Sequence, residues 1–428
     1  MRATVFPGRP QGTVRVPASK SMAHRAVICA ALADGTSVLT NVSLSNDIRA
    51  TIAGMRSLGA DILVEESEGQ AARLTVKGVG RPQAAAPLVV DCGESGSTLR
   101  FFIPIFALSG QPVRFECGGR LAERPQTVYQ RLFADIGTEL AAVGGGWQLN
   151  GGIFSGEYEL QGDVSSQFIS GLLFALPLLE GDSLLHILPP FESRSYVLLT
   201  LSMLAKFGVR AEWRDDNTLF IPGCQRYLPC DLAVEGDFSQ LAFFAVLGAL
   251  SGEVSLLGVD VDSLQGDRRI IDIVRLMGGD VEQRADGYIC RPGRLHSAAV
   301  DMADCPDLGP VLCVLAACAE GESELYNAGR LRIKESDRIA DVEQELVRCG
   351  VRMHSTEDTM YISGGGDYPG GVECLGHNDH RIVMALAVLA TVCRRPLTIC
   401  GAQAINKSYP RFFDDLQQLG IKVVLQDD

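Results

Sequence analysis

No stretch of the chain is apolar for long enough to suggest a membrane span. The longest such run, Ile382 to Cys393 counting Thr391, has twelve residues, against about twenty for a spanning helix. The start, MRATVFPGRPQGTVRVP, lacks the continuous apolar stretch of a secretory leader, so a soluble, unexported protein is expected. Cations are the minority: 38 Lys and Arg against 52 Asp and Glu give a net charge of -14, which argues against nucleic-acid or anionic-membrane partners. Thirteen cysteines contain no CxxC pair, and a chain of this length needs no disulfide staples, so reduced thiols in the cytoplasm are expected. No Walker loop or GxGxxG follows a strand pattern, which leaves a nucleotide cofactor without support. Ser19, Ser165 and Ser166 have no GxSxG context, so they read as helix caps and hydroxyl donors rather than nucleophiles.

What the chain does have is a repeat. Six segments read as a polar cap followed by an apolar helix, beginning near Ser19, Ser95, Ser165, Ser239, Asp307 and Asp379. Five end in glycine and the sixth at Arg394-Arg395-Pro396. Short apolar runs come next (SVLTNV, PVRFEC, SLLHIL, EVSLLGV, SELYNA, PLTICGA), which read as strands. A second helix then closes at Gly59, Gly137, Gly208, Gly278, Gly350 and Gly420, where glycine suits a left-handed cap. These glycines are 78, 71, 70, 72 and 70 residues apart. An ordinary doubly wound sheet with evenly spaced units is the alternative. The spacing favours an α/β protein of six βαβαβ-like repeats, three per domain. The segment CQRYLPCDLAVEGD has no helical pattern and marks a boundary. Residues 19–229 are expected to form the first domain, and 1–18 with 230–428 the second.

In this acidic chain, many cations stand at or beside helix starts and inter-unit loops: Lys20, Arg25, Arg100, Arg124, Arg194, Lys334, Arg338, Arg381 and Lys407. Each alone could be a solvated charge or a cap. Together with the unpaired N–H groups of helix N-termini they point to a multiply anionic small molecule carrying phosphate or carboxylate. His377 and His380 are three residues apart, a conceivable ligand pair, but no third histidine is near and Arg381 would repel a cation, so no metal is expected.

Several motifs together give the chain a resemblance to the 5-enolpyruvylshikimate-3-phosphate synthase family along essentially its whole length. They are Pro17-Ala18-Ser19-Lys20-Ser21 with His24-Arg25, Glu94 to Arg100, Glu123-Arg124-Pro125, Val164 to Phe168, Ser193 to Tyr196, Glu235 to Ser239, Pro306-Asp307, Lys334 to Arg338, Asn378 to Arg381 and Lys407 to Pro410. The resemblance implies a two-domain inside-out α/β barrel with the active site in the cleft between the domains. It also implies transfer of the enolpyruvyl group of phosphoenolpyruvate to the 5-hydroxyl of shikimate 3-phosphate, releasing phosphate, with no cofactor. By motif, Ser21, Arg25, Ser165, Ser166, Ser193, Tyr196, Asp307 and Lys334 match shikimate 3-phosphate contacts. Lys20, Gly96, Arg124, Gln167, Arg338, Arg381 and Lys407 match phosphoenolpyruvate contacts.

That division suits the chemistry, since arginine forks fit carboxylate and phosphate and hydroxyls fit a sugar-like ring. The reaction moves one proton off an alcohol and one onto carbon, work for carboxylates without metal. Asp307 and Glu335 are the candidates, with Lys20 beside them as a catalytic cation. Ala18, Arg330 and Glu94 depart from the family pattern. Two other readings remain at this point: an enolpyruvyl transferase acting on UDP-N-acetylglucosamine, for which Cys117 is the one residue that could argue, and a non-catalytic anion-binding repeat scaffold. A monomer with small-molecule partners only is expected.

Overall fold

Why the caps start helices is visible in the computed structural model, which describes residues 1–66, 71–82 and 88–427. In the first half of the chain the helices are α1 (Lys20–Leu32), α2 (Asn46–Ser57), α3 (Gly96–Ala107), α4 (Thr127–Asp135), α5 (Ser166–Ala175) and α6 (Arg194–Lys206). In the second they are α7 (Phe238–Ser251), α8 (Arg269–Leu276), α9 (Gly309–Ala317), α10 (Arg338–Arg348), α11 (His380–Ala390) and α12 (Phe412–Gln418). Side-chain oxygens of Ser19, Ser95, Ser165 and Asp379 accept N–H groups of the first turns of α1, α3, α5 and α11, satisfying donors that a helix start leaves open. Two starts differ from the sequence expectation. Asp237, not Ser239, caps α7, and Pro306–Leu308 forms a 3₁₀ turn before α9.

The first helix of each repeat is apolar nearly all round and is buried nearly all round, as in α3, α7 and α11. The second is amphipathic, and each of the six is followed by its expected glycine at positive φ, between 74° and 104°, a conformation that penalises a Cβ.

Among the described residues the strands form six four-stranded sheets. In one, Leu88–Asp91 runs parallel to Val113–Glu116, which pairs antiparallel with Gly146–Asn150, itself antiparallel to Glu139–Val143. The same order recurs in all six. The βαβαβ-like repeat therefore ends in a further antiparallel strand, absent from the sequence expectation. Strands from elsewhere in the chain complete three sheets. Leu232–Ala233 lies parallel to Leu39–Thr40, Gln11–Arg15 parallel to Glu253–Leu257, and Arg2–Val5 antiparallel between Leu397–Cys400 and Val423–Gln426.

Two compact units result, Ala18–Glu235 and Met1–Pro17 with Gly236–Asp428. The boundary near residue 229 thus moves to 235, because residues 230–235 are bound to the first unit: the Cys230 N–H donates to Ser37 Oγ, the Ser19 N–H to the Glu235 carbonyl, and Asn41 Nδ2 to the Val234 carbonyl. Within each unit the apolar helices make the core and the sheets lie outside them, which is the inside-out α/β arrangement. No helix among the described residues is long and apolar enough to cross a membrane.

Candidate active site

The cations of the unit Ala18–Glu235 are placed by helix starts and fixed by neighbours from other repeats. Lys20 opens α1, and its Nζ lies 2.9 Å from Asp47 Oδ2 on α2. Arg25, one turn further, is 2% exposed and donates to Thr200 Oγ1 at 2.9 Å, the Ser21 carbonyl at 2.7 Å and the Tyr196 carbonyl at 3.0 Å. Its guanidinium also lies over the Phe101 ring. This brings Lys20, Ser21, Arg25 and Tyr196 to the facing starts of α1 and α6. Ser193, fully buried with φ 52°, precedes α6. Ser165 and Ser166 begin α5, whose Gln167 donates to Ser97 Oγ at 2.9 Å and accepts from Arg100 at 2.8 Å. Gly96 stands against Arg124: a Cβ there would lie 2.7 Å from Arg124 Nη1.

In the other unit, Asp307 gathers three cations. Its Oδ1 is 3.0 Å from Arg338 Nη1 and 3.3 Å from Lys334 Nζ, and its Oδ2 is 2.8 Å from Arg381 Nη2. Arg338, 1% exposed, also reaches Glu335 at 2.7 Å and Asp379 at 2.7 Å. Lys407 Nζ donates to the Asn378 carbonyl at 2.6 Å. Burial alone would raise the Asp307 carboxyl, but Arg381, Lys334 and Arg338 outweigh it and hold it well below the usual carboxylate range. Burial draws the Lys334 ammonium down to about 8. For Arg338 burial opposes ionisation, yet Asp379, Glu335 and Asp307 carry it above its ordinary value. These side chains form an ion cluster with forks and ammoniums that an anionic ligand can share.

The family model for EPSP synthase (3-phosphoshikimate 1-carboxyvinyltransferase) matches residues 6–416. The chain belongs to the EPSP synthase family. It is similar to the 3-phosphoshikimate 1-carboxyvinyltransferases of Clostridium kluyveri, 43% identical over 97% of each chain, and Clostridium beijerinckii, 42% identical over 97% of each. Among solved structures it is similar to the EPSP synthase of Acinetobacter baumannii, with a TM-score of 0.80, 27% identity and coverage of 99% of this chain and 100% of that one.

Within this EPSP synthase fold the chemistry at other candidates is also defined. Burial pushes the Cys117 thiol up to about 12, so at neutral pH it stays protonated and is a poor nucleophile. His377 and His380 do not face a common point: the first ring lies between Asp341 and Glu345, the second beside Asp379. Arg194 is stacked on Phe191 and Trp213.

Sequence reasoning does not single out Asp47, Thr200, Asp379 or Asp267 as site residues. Asp379 has a signal, as a cap residue two positions before Arg381. The other three are found only through contacts distant in sequence.

Asp267, 2% exposed, accepts from the Ser239 hydroxyl. Burial, then the Asp307 carboxylate, raises its carboxyl to about 7. Its unfolded value is about 3.9. Between these two values the folded chain holds a proton that the unfolded chain has lost, so this group's contribution to stability falls as pH rises. Asp267→Asn is therefore expected to gain about 2–3 kcal/mol on the parent protein between pH 5 and pH 8. Urea unfolding at several pH values checks this; a pH-independent difference would refute it.

Proposed function

We propose that the enolpyruvyl transfer of this family is carried out here by the side chains gathered around Lys20 and Arg25 in one unit and around Asp307 in the other. The chain transfers the enolpyruvyl group of phosphoenolpyruvate to the 5-hydroxyl of shikimate 3-phosphate and releases phosphate. Ser21, Arg25, Ser165, Ser166, Ser193, Tyr196, Asp307 and Lys334 bind shikimate 3-phosphate. Lys20, Gly96, Arg124, Gln167, Arg338, Arg381 and Lys407 bind phosphoenolpyruvate. The observation that carries the reading is Asp307, ionised among Lys334, Arg338 and Arg381. A carboxylate so held can accept the hydrogen of an attacking hydroxyl, while the arginine forks meet carboxylate and phosphate oxygens.

As the forks engage phosphoenolpyruvate, their hold on Asp307 weakens and the carboxylate becomes more basic. Glu335, 2.7 Å from Arg338, is the second carboxylate of the proton transfers, and Lys20 supplies charge beside the reacting groups. Phosphate release from phosphoenolpyruvate by the purified protein tests the reading. It should require shikimate 3-phosphate; release that is indifferent to it would overturn the assignment. The chain is further read as cytoplasmic and as a monomer, the latter checked by light scattering.

Gly96 gives a second test. A Cβ there forces the Arg124 guanidinium to move. Gly96→Ala should raise KM for phosphoenolpyruvate about tenfold and that for shikimate 3-phosphate less. Unchanged constants would remove the Gly96–Arg124 contact from the phosphoenolpyruvate set.

A further inference from the structure

His377 has no place in either substrate set, yet it is held more tightly than a surface histidine needs to be. Its Nδ1 lies 3.2 Å from Asp341 Oδ1 and its Nε2 3.0 Å from Glu345 Oε1, both on α10. Glu345 is fully buried, and its other oxygen accepts the Leu375 N–H at 3.1 Å. The carboxylate therefore ties residues 375 and 377 to the same helix. The backbone here is unusual: His377 and Asn378 have φ of 49° and 51°. Two successive non-glycine residues persist in the left-handed region only where their surroundings fix them.

Immediately beyond His377 the chain enters the cation cluster. The Asn378 carbonyl accepts from Lys407 Nζ. Asp379 caps α11 and accepts from Arg338 through both oxygens, at 2.7 and 3.3 Å. Arg338 is itself the first residue of α10. Ser336, 3% exposed, lies 3.5 Å from Asp379 Oδ2. One imidazole thus joins the helix that starts with Arg338 to the loop that seats Lys407 and Asp379.

We propose that His377 is a positioning residue for phosphoenolpyruvate binding: by bridging Asp341 and Glu345 it fixes the 376–379 loop, and through that loop the places of Arg338 and Lys407. The inference rests on the assignment of those two cations to phosphoenolpyruvate. Neither ring nitrogen needs to touch substrate. A histidine serving stability alone would not discriminate between the two substrates when removed.

Steady-state kinetics of the full chain test this. His377→Ala should raise KM for phosphoenolpyruvate about tenfold, with KM for shikimate 3-phosphate within about twofold and kcat within about threefold. His377→Gln retains one N–H donor able to reach a carboxylate, and should raise the same KM only about threefold. A folded His377→Ala protein with unchanged KM for phosphoenolpyruvate would overturn the proposal, as would an equal rise in both constants. If the alanine variant does not fold, the glutamine variant decides by the same criterion. Lys407→Met, run alongside, separates two failures. An unchanged KM for phosphoenolpyruvate there removes the substrate assignment and the proposal with it; a raised one beside normal His377 variants removes the positioning role alone.

Discussion

Arg338→Met should melt roughly 10 °C below the parent protein and show no measurable turnover, the loss expected when one partner of a buried ion network is removed at about 3–5 kcal/mol. The reason is the company Arg338 keeps. It is 1% exposed and contacts Asp307, Glu335 and Asp379, the last of them fully buried. Methionine replaces much of the stem volume, so packing loss is small and the effect isolates charge. Asp379 would keep the Arg381 N–H it caps, at 2.8 Å, but lose the cation that offsets its desolvation. Uncompensated carboxylates take up protons more readily when folded than when unfolded. The variant should therefore recover relative to the parent as pH falls from 7.5 to 5. Melting curves followed by circular dichroism across that range check both statements. A gap that stays constant with pH would mean that charge is not the cause, and a gap under about 3 °C would mean that the network adds little to stability.

The same network shows how far sequence reaches. Six repeats are legible because their markers are local. A serine or aspartate cap and a glycine at positive φ act within one helix turn, so Ser19, Ser95, Ser165 and Gly59 or Gly350 can be read without knowing the fold. The additional strand of each repeat is less legible, since a short strand such as Ala72–Lys77 or Gly146–Asn150 is defined by its neighbour more than by its own residues. Cap choice is also underdetermined where two cap residues stand close together: Asp237 and Ser239 both qualify, and the Gln265 side chain that accepts the Phe238 N–H comes from 27 residues away.

Site residues divide in the same way. Lys20, Arg124, Arg338 and Arg381 belong to motifs, but what each one does depends on partners such as Asp47 and Asp379. Arg194 is the instructive case. It stands at a helix start like the others, yet its guanidinium is 4.5 Å from the Trp213 ring centroid. A cation at a helix start can thus be engaged by aromatic rings as well as by an anion, and stacking alone does not decide between the two, since Arg25 also lies over a ring. His24, one position before Arg25 in the same motif, is in neither substrate set. Burial, then Lys20 and Arg25, hold its imidazole well below the ordinary range, and its Nδ1 is hydrogen-bonded at 2.7 Å to Thr51. It serves as a neutral core residue.

Asp307→Asn should fold normally, bind phosphoenolpyruvate at least as well as the parent protein, and lose about a hundredfold or more in turnover, the scale of general acid-base catalysis. Asparagine has the same shape and can still accept a hydrogen bond, so geometry is preserved while the negative charge is lost. Its removal leaves Lys334, Arg338 and Arg381 less neutralised, which favours an anionic ligand and predicts an unchanged or lower KM. The same loss removes the main influence that raises Lys334, so its ammonium should fall further below about 8. An additional alkaline limb, beginning at lower pH than in the parent protein, is then expected in the variant's residual activity. A turnover within about threefold of the parent would exclude Asp307 from proton transfer. A large loss accompanied by a raised KM for phosphoenolpyruvate would instead identify Asp307 as the residue that positions the three cations, leaving Glu335 as the carboxylate to test by substitution with glutamine.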